Sequence, residues 1–180
     1  MKVAVGFVGL GNMGKGMATN LLNAGFPLVA YDLRTDVVAE LVRMGGKAAE
    51  SLSDLGRSAE TAVVMVLNFP QMQEVILGPS GVAAAMKPGS TVIGCSTISP
   101  FQAQSLGEAL GEFGINYVDA PVSGGKFRAA DGTLTIMAGA DQGVFDRQRP
   151  VLEAMSSNLY YCGAIGTGQT AKMCNQLMAG

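Results

Sequence analysis

Apolar residues along this chain gather in short runs at 3–8, 28–31, 62–67, 91–94 and 116–118, each ending in a turn. Between these runs, apolar positions recur at three- and four-residue intervals over 13–24, 35–44, 70–76 and 100–113. Short continuous apolar runs predict strands buried on both faces, and the periodic stretches predict helices that cover them. Further on, 133–138 (Thr-Leu-Thr-Ile-Met-Ala) predicts a strand, 141–155 a helix and 158–161 a last strand. Alanine-rich pieces near 47–49 and 81–86 fit neither pattern clearly. This alternation predicts an α/β fold: a mostly parallel sheet with helices on both faces and right-handed crossovers. Gly163 to Gly168 reads as a loop, and the chain is helical from Gln169 onward. The predicted division is therefore a sheet domain over 1–163 and the start of an outgoing helix over 164–180.

Composition narrows the function classes. The 180 residues are 48% hydrophobic with a mean hydropathy of +0.31, enough for a large core. A net charge of −2 with scattered basic residues gives no electrostatic footprint for nucleic acid. No apolar run approaches the roughly 18 residues of a bilayer span, and no basic leader precedes the first strand, so a cytoplasmic location is expected. Cys95, Cys162 and Cys174 have no paired spacing, and the chain has no histidine, so no metal site is expected and the thiols should be free. The missing histidine also removes the commonest acid/base catalyst. Any proton transfer must use another residue.

The candidate chemistry begins where the first strand ends. Gly9-Leu10-Gly11-Asn12-Met13-Gly14 is a G-x-G-x-x-G between a strand and a helix. Gly9 permits a tight turn, Gly11 admits a pyrophosphate, and Gly14 allows close packing, while the helix N-terminus offers N–H groups to phosphate. With this turn the fold becomes a Rossmann-type expectation. Asp32, about 20 residues past the turn, suits the ribose hydroxyls of NAD and would repel the 2′-phosphate of NADP. Arg34, two residues on, offers a phosphate contact, and a capping role fits Asp32 as well. Asn68-Phe69-Pro70 and Ser96-Thr97 follow later strands, at the carboxyl edge where such sheets bind ligands. Both pairs also fit ordinary helix capping. Ser123-Gly124-Gly125, in Asp119-Ala120-Pro121-Val122-Ser123-Gly124-Gly125, combines a hydroxyl with unobstructed N–H groups and suits a carboxylate. A plain turn fits the same spacing, and Lys126 and Arg128 add nearby charge. On the last helix, Lys172 shares a face with Gln176, with Asn175 close by. A lysine desolvated among apolar neighbours has a lowered pKa, which suits a general acid/base, and a solvated surface charge fits the same spacing.

Four stretches together resemble the β-hydroxyacid dehydrogenase family. They are the glycine turn with Met17-Ala18-Thr19-Asn20-Leu21-Leu22; Ser96-Thr97-Ile98-Ser99-Pro100; the segment from Asp119 to Gly125; and Gly166-Thr167-Gly168 with Lys172-Met173-Cys174-Asn175-Gln176. They occur in the family's order and span the chain. The resemblance implies an NAD-dependent oxidoreductase acting on a small 3-hydroxy carboxylic acid, with NADP the less favoured cofactor. Lys172 would be catalytic. Ser123, Gly124, Gly125, Asn175 and Gln176 would bind substrate. The turn residues, Asp32, Asn68, Phe69 and Thr97 would hold the cofactor, with Thr97 near the nicotinamide. The family often has asparagine four residues after its lysine, where this chain has Gln176. It also implies an all-α C-terminal domain and a homo-oligomeric parent protein, neither contained in these 180 residues. The alternative expectation is a dinucleotide-binding module without turnover.

Overall fold

The computed structural model describes residues 2–179. Among the described residues nine strands form one sheet: β1 (Val5–Val8), β2 (Leu28–Tyr31), β3 (Lys47–Ala48), β4 (Thr61–Val64), β5 (Thr91–Gly94), β6 (Asn116–Asp119), β7 (Val122–Ser123), β8 (Leu134–Gly139) and β9 (Ser156–Gly163). The helices are α1 (Gly14–Asn23), α2 (Thr35–Arg43), α3 (Leu52–Ser58), α4 (Phe69–Leu77), α5 (Pro100–Glu112), α6 (Gly125–Asp131), α7 (Gln142–Glu153) and α8 (Thr167–Ala179). The strand order is β3-β2-β1-β4-β5-β6-β8-β7, and β9 pairs with β8. The first six strands of that order are parallel to one another. β8 runs antiparallel to β6 and β7, and β9 runs parallel to β8. The order reverses between β1 and β4, which opens a crevice at their carboxyl ends. No described helix is long and apolar enough to cross a membrane.

Burial on both faces explains why these strands are continuous apolar runs. Val5 and Phe7 of β1 point into one core with Met17 and Leu21 of α1 and Phe145 of α7. Val8, Ala62 and Val64 point into the other, with Leu55 of α3, Met72 of α4 and Leu106 of α5. Successive residues thus serve opposite faces, as the two-residue strand period demands. Each fully buried Leu or Phe contributes about 1.5–3 kcal/mol.

Several expected elements are resized. The strand expected over 62–67 stops at Val64, because the Ser96 hydroxyl takes over the backbone of Val66, accepting from its N–H at 3.1 Å and donating to its carbonyl at 2.7 Å. The last strand, expected over 158–161, extends from Ser156 to Gly163 with register shifts against β8. The ambiguous alanine pieces become the two-residue edge strand β3 and a 3₁₀ turn at Ala83–Ala85. Helices α3 and α6 escape the periodic pattern because each has only seven residues. The Ser51 hydroxyl caps α3 by accepting from the Asp54 N–H at 3.1 Å.

Helix α6 lies against α1. A Cβ on Gly16 would come within 2.7 Å of the Ala129 carbonyl, and the Asn20 amide donates to that same carbonyl at 2.8 Å. Backbone cannot yield as a side-chain tip does. Gly16→Ala should therefore destabilise the chain by about 1–3 kcal/mol. Urea unfolding should show a lower midpoint with an unchanged slope, and an unchanged midpoint would mean that α6 is not packed on α1.

Candidate active site at the carboxyl edge of the sheet

The glycine turn has the shape that a dinucleotide requires. Gly9 adopts φ +92°, and a Cβ there would lie 2.1 Å from the Met65 carbonyl, on the loop after β4. Gly14 sits so close that a Cβ would meet the Gly9 carbonyl at 1.8 Å. Gly11 faces open space and is exposed. Two glycines therefore fold the turn and the third leaves room above it. The first N–H groups of α1 have no partner within the helix and carry its partial positive charge. Leu10, Gly11 and Asn12 line an open cleft of about 520 Å³, together with Arg34, Lys126 and Phe127. A larger groove of about 710 Å³ over α5 and the β8–α7 turn contains none of the predicted site residues. It lacks the glycine cradle, so the smaller cleft is the one suited to a dinucleotide.

Asp32 begins the loop after β2 and is tied to the glycine turn. One carboxylate oxygen accepts from the Leu10 N–H at 2.6 Å, and the other accepts from the Arg34 N–H at 2.9 Å and from its side chain at 3.2 Å. Partial burial pushes its pKa up. The bonds from the Arg34 and Leu10 N–H groups and from the Arg34 guanidinium outweigh that, and the net shift is downward. An ionised carboxylate retains lone pairs for hydroxyl donors. Arg34 also donates to the Leu10 carbonyl at 3.0 Å, so its guanidinium is held across the turn.

The later candidates collect at the same edge. Asn68 caps α4, its side chain accepting from the Gln71 N–H at 3.0 Å, and Phe69 begins that helix half-buried. Ser96 is buried and bonded to Val66, whereas Thr97 is exposed in the loop after β5. Ser99 and Gln102 form a reciprocal capping box on α5. Gly124 and Gly125 adopt φ +135° and +71°, and both are exposed. The segment that in sequence suits either a carboxylate receptor or a plain turn is a strand end at Ser123 that passes through Gly124 into α6. The Lys126 ammonium stacks over the Phe127 ring at 5.1 Å, on the cleft side of that helix.

Helix α8 brings Lys172 to this edge. Asn175 donates to the Ser123 hydroxyl at 3.3 Å, joining the helix to the serine-glycine turn. Lys172 itself is only 6% exposed, and burial lowers its pKa. No carboxylate lies within ion-pair distance of it among the described residues. Gln176 is exposed, so Asn175 is the amide that reaches Ser123. Met173, Leu177 and Met178 lie on the exposed side of the same helix.

Two residues of this region carry no role in the sequence reading. Asp119 is 0% exposed, and one of its oxygens accepts from the N–H groups of Gly166 and Gln169, both at 3.1 Å. Its other oxygen accepts from the Gln169 side-chain amide at 2.8 Å. Burial raises the Asp119 pKa to about 6 against the opposing effect of these donors. Periodicity marks strand ends and helix starts, but it does not reveal that a strand-end aspartate will cap a helix about 50 residues away. The small residues Gly166-Thr167-Gly168 are the available signal of tight packing there.

Strand order, glycine turn and cleft define an α/β dinucleotide-binding domain. Residues 4–163 match the family model of the NAD binding domain of 6-phosphogluconate dehydrogenase. The chain is 41% identical over 177 residues to the mitochondrial 3-hydroxyisobutyrate dehydrogenase of Mus musculus, covering 98% of this chain and 53% of that protein. It is 43% identical over 176 residues to the NAD-dependent L-serine dehydrogenase of Pseudomonas aeruginosa, covering 97% and 59%. A crystal structure of 3-hydroxyisobutyrate dehydrogenase from Salmonella typhimurium superposes with a TM-score of 0.93 at 40% identity, covering 99% of this chain and 62% of that one. The chain belongs to the β-hydroxyacid dehydrogenase family, of which it carries the N-terminal NAD-binding domain. It spans 53–62% of the length of these relatives.

The lowered Lys172 pKa has a consequence for stability. A lysine whose folded pKa lies below its ordinary 10.5 contributes stability above that value and loses it as pH falls through the folded pKa. Near neutral pH the buried charge is therefore a cost. Lys172→Met should raise the thermal midpoint at pH 7, and the gain should shrink as pH rises toward 10. A midpoint lowered equally at both pH values would show that the ammonium is not desolvated.

Proposed function

We propose that this chain is the cofactor-binding and proton-transfer half of an NAD-dependent 3-hydroxyacid dehydrogenase. The observation that carries this reading is the Asn175–Ser123 contact, which sets buried Lys172 beside a serine-glycine-glycine turn open to solvent. Bound NAD supplies a nicotinamide carbon that takes up or returns hydride. The chain's own residues do the rest. The α1 N-terminus holds the diphosphate, and Asp32 accepts from the adenosine ribose hydroxyls. Ser123 and the N–H groups of Gly124 and Gly125 hold the acid's carboxylate, while Asn175 or Gln176 orients its hydroxyl. As the hydroxyl carbon gives up hydride, the neutral Lys172 amine takes the hydroxyl proton; in reduction the ammonium returns it. Desolvation favours the neutral amine that oxidation requires. Thr97, exposed in the loop after β5, lies near the nicotinamide in this reading, and Asn68 and Phe69 contact the cofactor from the loop after β4.

NAD is preferred over NADP in this reading because an ionised Asp32 repels a 2′-phosphate. The names of two relatives agree with the substrate class: one is a 3-hydroxyisobutyrate dehydrogenase and the other an L-serine dehydrogenase, and both acids carry a 3-hydroxyl. A second reading, NAD binding without turnover by these residues alone, is favoured by the exposure of Gly124, Gly125 and Gln176, which leaves the substrate side uncovered.

Titration of NADH and NADPH, followed by nicotinamide fluorescence, tests the cofactor assignment. NADH should bind more tightly, and Asp32→Ala should weaken NADH more than NADPH. Equal affinities in the parent chain would remove Asp32 from the ribose site. With 3-hydroxyisobutyrate, L-serine and glycerate as a substrate panel, Lys172→Ala should lower turnover about 10²–10⁴-fold while leaving NADH affinity nearly unchanged. Turnover equal to the parent would overturn the lysine's role. NADH binding with no turnover of any acid by the parent chain would establish the second reading.

A further inference from the structure

Gln169 is fully buried at the start of α8, one helical turn before Lys172. Its side-chain amide donates to the Ser96 carbonyl at 3.0 Å and to Asp119 at 2.8 Å, and it accepts from the Ile98 N–H at 3.0 Å. Ser96 and Ile98 flank Thr97. A single amide therefore grips the backbone on both sides of the residue assigned to the nicotinamide. The same residue's backbone N–H is fixed to Asp119 at 3.1 Å. The fit beside it leaves no slack: a Cβ on Gly168 would lie 2.5 Å from the Met137 carbonyl and 2.7 Å from that of Asp119.

The chemistry of these groups selects glutamine. An ionised Asp119 only accepts, so it forces the NH₂ end of the amide toward itself and the oxygen toward Ile98. Ionised glutamate lacks the two donors, asparagine is one methylene shorter, and leucine leaves the Ser96 carbonyl, the Ile98 N–H and one oxygen of Asp119 without the partner that the Gln169 amide supplies.

We propose that Gln169, oriented by Asp119, is a positioning residue that locks the Thr97 backbone and the Lys172 helix into one fixed separation. This inference rests on the reading that Lys172 moves the proton and Thr97 borders the nicotinamide. Hydride and proton leave the same C–OH group, so both acceptors must be placed on it together. A misplacement of about 1 Å costs roughly 100-fold in rate. The Gln169 amide fixes that distance without touching substrate or cofactor.

The test uses readouts that need no turnover. In this chain, the Lys172 side chain is titrated by ¹³C NMR, and exchange of the Ile98 amide is followed with NADH bound. Gln169→Leu should raise the Lys172 pKa toward the ordinary lysine value and speed Ile98 exchange about 100-fold, with NADH affinity held within about twofold, as freed loop and helix ends open locally. Gln169→Glu, which keeps the Ile98 acceptor but loses both donors and sets a second carboxylate against Asp119, should raise the Lys172 pKa at least as far. An unaltered Lys172 titration in a folded, NADH-binding variant would overturn the proposal. Loss of NADH binding and of fold in both variants would also overturn it, because it would mark a purely structural glutamine. Turnover surviving in Lys172→Ala would instead sink the proton-transfer reading and leave the positioning result standing.

Discussion

The buried carboxylate of Asp119 is the contact on which the candidate site depends. Helix α8 begins with N–H groups that have no partner inside the helix, and it begins in the protein interior. Asp119 answers both needs at once by accepting from Gly166 and Gln169 and placing negative charge at the positive end of the helix dipole. The cost is visible in its surroundings. Burial first, and the charge of Asp119 second, push the Cys95 thiol up to about 12, and the same two causes raise the Tyr117 hydroxyl well above its usual value. Both groups stay neutral at pH 7, whereas the effect of burial on Lys172 is in the opposite sense and lowers its pKa.

A second constraint is the economy of the glycine turn. The loops after β1 and β4 touch so closely that only glycine fits at position 9. That contact fixes the mouth of the crevice at the point where strand order reverses. The Ser96 hydroxyl then joins the loops after β4 and β5, and Gln169 joins the loop after β5 to α8. Successive strand ends are thus stitched sideways by polar side chains, while the two apolar cores hold the sheet from above and below. The arrangement explains how a chain without histidine presents a basic group: the lysine is carried on a helix whose first turn is buried and whose outer face is exposed.

Much of this was legible in advance, and for a physical reason. Strands buried on both faces must be nearly all apolar, so β1, β2, β5 and β6 stand out as runs. The glycine turn is legible because only glycine tolerates its geometry. Family membership was legible because several such constrained segments occur in order. Less legible were the short elements. The seven-residue helices α3 and α6 offer too few turns for a period to show, and the true end of β4 depends on a serine 30 residues away.

By itself, then, the sequence determined the alternation of strands and helices, the position of the nucleotide turn, and the candidate residues for the site. These are local properties, set by side-chain volume, backbone freedom and charge within a few residues. Only the tertiary structure decided that Asn175 rather than Gln176 meets Ser123, that Asp32 is already bonded to the turn, and that Asp119 and Gln169 tie the strand ends to the lysine-bearing helix. Those contacts join residues tens of positions apart. They exist because buried polar groups must find partners wherever the fold places them, and no local pattern records which partner that will be.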